Sequence, residues 1–276
     1  MKKINDNLHY FENLNDFINK VKNAERIKGR DNSSETGDYY FTSTYSINEA
    51  WDLLEKKDTS FFKVDYKEKK TIENGKSIAR KRYYNDIVGY NVNVANYCLG
   101  VPCNMLNIKN DYKKSKIVDI IINNGVPCGI DRQEIFETFS KILNDIIYLE
   151  KKGYRTNIYL LIGSVCDSND VFKSHNLGVI KLKKDCEILD TKKLVFPVVH
   201  PSFLRRLSFR FRECFGTYDV TKNSYGHGLL IGRDRKRWYD KKELDLYNYI
   251  IKECKISNEH LYTSICGYND EWIEKY

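Results

Sequence analysis

The segment HPSFLRRLSFRFRE, residues 200–213, sets His200 beside four arginines, Arg205, Arg206, Arg210 and Arg212. Guanidinium groups at this density can grip phosphate or carboxylate through bidentate hydrogen bonds. On a helix starting near Pro201, steps of three or four residues relate Ser202 to Arg205 and Arg206, and Arg206 to Arg210, which predicts an arginine face. The same residues serve equally well as structural ties, with Arg206, Arg210 and Glu213 holding the helix to its neighbours and His200 satisfied at its start. A second basic cluster, GRDRKRWYDKK at 232–242, contributes Arg233, Arg235, Lys236, Arg237 and Trp238. Cations interleaved with aromatic rings suit phosphate contact with base stacking; they suit a solvated loop or an acidic protein partner as well. Between the clusters lies Tyr225-Gly226-His227-Gly228, a loop whose glycines permit unusual backbone angles. His200 and His227 are the candidate general bases if the chain is an enzyme, a role that also requires a partner group and a pocket.

Charge concentrates in this region. The chain of 276 residues carries +8. From His200 to Lys242 there are 11 Lys and Arg against four acids, a net +7, which leaves about +1 for the other 233 residues. Other chemistries lack their patterns. The turn NNGVPCGIDRQE has neither the dinucleotide fingerprint nor the phosphate loop with its lysine, and Asp131 would repel a phosphate there. The eight cysteines are scattered without a CxxC pair, so free thiols are expected and no metal or cofactor is. Asp131 and Glu134 are explained by helix capping, Glu137 and Asp145 by a polar helix face, and no serine elbow occurs.

The elements that must position these residues are clearest in the second half. KIVDIIIN, 116–123, is an apolar run suited to a buried parallel strand. Asp131 with Glu134 caps a long helix whose apolar face runs from Ile135 to Ile147. TNIYLLIG, 156–163, completes a strand, helix, strand unit with a right-handed crossover. A further strand is expected at 177–184, a short element at 188–199, a helix from Pro201 to Phe215, and a last helix capped by Asp240 and Glu243. In the first half, apolar spacing predicts a helix over 11–21, and Ser46 with Glu49 caps another running to about Lys57. The stretch KGRDNSSETGDYY reads as a loop. Val92, Val94, Tyr97, Leu99 and Met105 would be costly to leave in water, so 83–108 reads as an ordered, loop-rich segment.

These patterns give an α/β protein, a mostly parallel open sheet flanked by helices, Rossmann-like or von Willebrand A-like. In the latter case its metal motif is lost, because Asp119 lies inside the strand and no serines follow at the required spacing. The expected division is a helical and loop-rich region 1–112 and an α/β core 113–276 with a basic C-terminal part. TSTYSINEAWDLLEKKD (42–58), DIVGYNVNVANYCLGVPCNM (86–105), YLEKKGYRTNIYL (148–160) and FPVVHPSFLRRLSFRF (196–211) resemble an uncharacterised family of tailed bacteriophages and prophages. That resemblance implies a phage-encoded protein in the bacterial cytoplasm and no particular activity. No run reaches the roughly 20 apolar residues of a membrane span. The expectation is a non-enzymatic binding protein that engages nucleic acid or a nucleoprotein complex of the host, as an anti-defence inhibitor or a replication or packaging accessory. The alternatives are a phosphodiester- or nucleotide-processing enzyme centred on His200 and Arg206, and a virion-assembly protein.

Overall fold

The computed structural model describes residues 1–62, 81–110, 116–126, 129–167, 170–223, 225–229, 240–256 and 259–265. Contacts divide the chain into two compact units, Met1–Lys67 with Ile117–Tyr276, and Glu68–Lys116. The first 62 residues therefore fold with the α/β part, where the sequence suggests a region 1–112 of its own. Their own strand and helices join its core, which explains the difference.

The larger unit begins with strands β1 (Lys2–Lys3) and β2 (Leu8–Phe11) and helices α1 (Leu14–Lys22), α2 (Ser33–Thr36), α3 (Tyr39–Thr42) and α4 (Ile47–Lys56). The small unit holds β3 (Lys81–Asp86), β4 (Asn91–Val92), α5 (Val94–Cys98) and β5 (Met105–Asn110). The larger unit resumes with β6 (Ile117–Asn123), α6 (Arg132–Lys151), β7 (Arg155–Val165), β8 (His175–Lys183) and α7 (Thr191–Val199). A π-helical turn at Phe203–Leu207 runs into α8 (Ser208–Cys214), and α9 (Asp240–Glu253) and β9 (Glu259–Ser264) follow.

Six strands form one mixed, mostly parallel sheet in the order β1-β2-β8-β7-β6-β9. β6 lies parallel to both β7 and β9, and β2 parallel to β8, while β7 and β8 return antiparallel through the short 166–174 connection. The architecture is α/β with helices on both faces. Val118, Ile120 and Ile122 of β6 join the cluster that contains Ile135, Phe139 and Ile142 of α6. Ile121, one step along, joins the opposite cluster with Leu246, Tyr247 and Ile250 of α9. The alternation follows from the period of two along a strand.

Caps fix the helix starts as the sequence indicates. Asp131 accepts the Gln133 N–H at 3.0 Å, and Ser46 accepts the Glu49 N–H at 3.1 Å. Phe11, expected on the first helix, instead ends β2, where it is buried against Phe17 and Phe211. The predicted loop at 28–40 contains the single-turn helices α2 and α3. Among the described residues, no helix is long and apolar enough to cross a membrane.

Candidate functional site

α6 and α9 lie on opposite faces and lead to the two strands that flank β6, so the crevice beyond the carboxyl ends of β6 and β7 is open to loops. In α/β sheets this is where ligands are held. Here the chain leaves β6 through Asn123, Asn124, Gly125 and Val126, and the 225–229 loop folds back over that edge. Two backbone bonds, Val165 N–H to the His227 carbonyl at 2.8 Å and His227 N–H to the Val165 carbonyl at 2.9 Å, pin the loop to the end of β7.

Glycine is required for this close approach. A Cβ on Gly125 would lie 2.2 Å from Gly228 Cα, and a Cβ on Gly226 would lie 2.5 Å from the Val165 carbonyl oxygen. Tyr225 carries φ of +66°, which is strained for a bulky residue. Its ring stacks on Phe209 at 4.0 Å and its hydroxyl donates to Glu213 Oε1 at 2.7 Å, so the surroundings hold it in that state.

Between the loop and the helix remains a cavity of about 50 Å³, lined by Gly125, Val126, Leu204, Arg205, Phe209, Arg212, Tyr225, Gly226 and Gly228. A single water needs about 10–15 Å³ of such space. The cavity therefore matches one tetrahedral oxyanion rather than a nucleobase. Its charge is cationic. Arg212 is buried, donates Nη1 to the Tyr225 carbonyl and Nη2 to the Gly163 carbonyl, both at 3.0 Å, and leaves Nε without an acceptor. No carboxylate of the described residues pairs with it. Burial, reinforced by the charge of Arg205, pulls its guanidinium down to about 9. Arg205 and Arg212 both lie against the Phe209 ring, 5.4 and 4.9 Å from its centroid. A buried cation without a counter-ion is costly, and an anion in the cavity would offset that cost.

The other arginines of the segment do different work. Arg206 is fully buried. Its Nε donates to Thr44 Oγ1, Nη1 to the Ser34 and Glu35 carbonyls, and Nη2 to the Gly37 and Thr44 carbonyls, at 2.7 to 3.2 Å. It is the core around which α2 and α3 wrap, with no donor turned to solvent. Arg210 donates to the Ala24 carbonyl at 2.8 Å and pairs with Glu35. Glu213 is buried and accepts from both the N–H and the hydroxyl of Ser34. The expected single arginine face is thus divided. Arg205 and Arg206, as neighbours on a helix, point roughly 100° apart, and Ser208 N–H reaches the Phe203 carbonyl across the wide turn that carries them.

His200 lies outside the cavity. It is buried, its ring stacked on Phe196 and edge-on to Phe61 and Phe136. Its Nδ1 accepts the Ser202 N–H at 3.1 Å, as an N-cap side chain does, and burial lowers its pKa to about 4. His227 does not line the cavity either; its Nδ1 donates to the Gly228 carbonyl and lies 4.0 Å from the buried Glu243 carboxylate. None of His200, Arg206 and His227 lines the cavity. Arg233, Arg235, Lys236, Arg237 and Trp238 lie outside the described residues. Among the described residues no group of His, Cys, Asp and Glu could hold a metal ion, and Cys98, Cys103, Cys186, Cys214 and Cys254 are free. Sequence reasoning missed Gly125 and Val126 as wall residues. The signal for them is Gly125, a glycine just past a buried strand that matches no known phosphate-loop pattern.

The model of one family, Domain of unknown function (DUF7192), matches residues 2–266. No curated protein and no solved structure matches the chain.

Proposed function

The chain belongs to this family of uncharacterised domains, and from the chemistry of the cavity we propose that it is a binding protein that takes a phosphate group of a nucleic-acid or nucleoprotein partner. One observation carries the reading: Arg205 and Arg212 line a cavity of oxyanion size, and among the described residues no carboxylate pairs with Arg212. The lining supports binding over catalysis, since it holds two arginines, a phenylalanine and a tyrosine whose hydroxyl pKa is raised by burial, and so offers no general base near neutrality. A space for one oxyanion favours a terminal phosphate over the interior of a backbone. A phage protein acting on a host nucleoprotein complex, as an anti-defence inhibitor or a replication or packaging accessory, would use such a site. Three parallel strands with helices on both faces support the Rossmann-like description over the von Willebrand A-like one.

The test is calorimetric titration of the full chain with sulfate, inorganic phosphate, and a short oligonucleotide with or without a 5′-phosphate. Saturable binding of the anions and a preference for the phosphorylated oligonucleotide are expected. Arg205→Ala and Arg212→Lys should each weaken binding by roughly tenfold or more, as loss of a charge-assisted hydrogen bond implies. Absence of saturable binding by all of these probes rejects the reading.

A further inference from the structure

We propose that the small unit, Glu68–Lys116, binds single-stranded nucleic acid by stacking bases on exposed tyrosines. This stands on a different unit and on different residues from the cavity. The unit is built around a three-stranded antiparallel sheet with β5 in the middle and β3 and β4 at its sides. Tyr84 pairs with Asn107, and both Asp86 and Val92 pair with Met105, so Tyr84, Asp86, Val92 and Met105 share one face by the alternation of strands. Tyr90, bonded through its N–H to the Leu106 carbonyl, sits in the bend that leads into β4. Tyr84 thus stands on one outer strand and Tyr90 at the entry to the other.

These rings are in solvent. Tyr84 is 42% exposed, Tyr90 59% and Tyr97 66%, and Ile87, Val88, Val94 and Leu99 are more exposed still. The loops do not need these side chains, because amides brace them. Asn93 Nδ2 donates to Asn85 Oδ1, Asn96 Nδ2 to the Cys103 carbonyl and Asn104 Nδ2 to the Val101 carbonyl. Asp86 is turned back into its own turn, accepting the Ile87 N–H at 2.7 Å.

Charge selects the occupant. Glu68–Lys116 contains ten Lys and Arg against four Asp and Glu, a net +6, yet residues 84–101 hold a single charged side chain, Asp86. The near-neutral remainder outside 200–242 therefore contains one strongly basic stretch of sequence. An uncharged aromatic surface in a basic unit complements a polyanion that also presents flat apolar faces, and single-stranded nucleic acid has both. An acidic protein would complement the charge but gives no reason for exposed phenol rings.

The experiment is fluorescence anisotropy of the full chain with a labelled 15-nucleotide oligo(dT) or oligo(rU) bearing a 5′-hydroxyl, so that no terminal phosphate is presented to the cavity. Binding that weakens from 50 to 200 mM salt is expected. Joint substitution Tyr84→Leu and Tyr90→Leu, which keeps apolar area and removes the rings, should weaken it at least about tenfold, and Tyr84→Trp with Tyr90→Trp should retain it. Three results overturn the proposal: no binding at 50 mM salt, unchanged affinity in the leucine variant, or equal competition by poly-glutamate, which would assign the surface to an acidic protein.

Discussion

Lowering the pH should destabilise the larger unit through His200 by an amount that can be worked out. Enclosed by Phe61, Phe136 and Phe196, its ring has its pKa lowered by burial from 6.5 to about 4. The unfolded chain thus binds more protons than the native state between those values, so stability falls as the pH drops below 6.5 and the loss is complete near 4. At about 1.36 kcal/mol per pH unit, the full penalty is roughly 3 kcal/mol, of which about 2 kcal/mol accrues between pH 7 and pH 5. His200→Asn removes the titrating ring while keeping a side chain that can accept the Ser202 N–H, since asparagine is a good N-cap. It should be less stable than the parent at pH 7 through lost packing, but its stability should decline less steeply toward pH 5. Urea denaturation of both proteins at pH 7, 6 and 5 reads the difference, with every carboxylate contribution common to the two. Parallel curves, with the same decline in parent and variant, would refute the argument that His200 is held neutral by burial.

Two further outcomes follow from the arginines. Arg206→Met should cost more than about 3 kcal/mol, because the carbonyls of Ser34, Glu35, Gly37 and Thr44 lose a charged donor while buried, and Arg206→Lys should recover only part of this; thermal or urea unfolding checks both. Sulfate should bind the Arg205→Met and Arg212→Met variants at least about tenfold more weakly than the parent, because each removes a cation from the cavity wall. Calorimetry at fixed ionic strength reads that ratio, and unchanged affinity would place the anion elsewhere.

How much of this could be read from the chain depended on whether an element's stability is local. β6, α6 and β7 were legible because one apolar run, one capped amphipathic helix and a second apolar run each declare themselves within a few residues. β2 and β9 were not. Leu8–Phe11 is only four residues long, and Glu259–Ser264 becomes a strand by pairing with β6, more than 130 residues earlier in the chain. The small unit misled in another way. Val92, Val94, Tyr97 and Leu99 read as residues that must be buried, yet amide bonds hold their loops and leave them in water. Burial arguments assume that apolar side chains supply the cohesion, and here asparagine supplies part of it.

The arginine segment shows why composition could locate the candidate site without describing it. Four arginines within eight residues contribute equally to a charge count, but Arg206 is spent inside α2 and α3, Arg210 pairs with Glu35, and Arg212 is buried beneath the 225–229 loop. The +7 of residues 200–242 therefore overstates the field at the surface of the described part. Helical spacing puts Arg206 and Arg210 on one side, and both meet Glu35 of α2, but spacing does not tell a buried side from an exposed one. Arg206 enters the core while its neighbour Arg205, roughly 100° around the helix, lines the cavity with Arg212. It follows that salt dependence and anion specificity should separate in this protein. An anion bound at the cavity as proposed would meet a desolvated charge that is weakly screened, whereas a strand on the small unit would meet net charge that salt screens strongly. Raising the salt should thus strip the 5′-hydroxyl oligonucleotide long before it displaces a terminal phosphate.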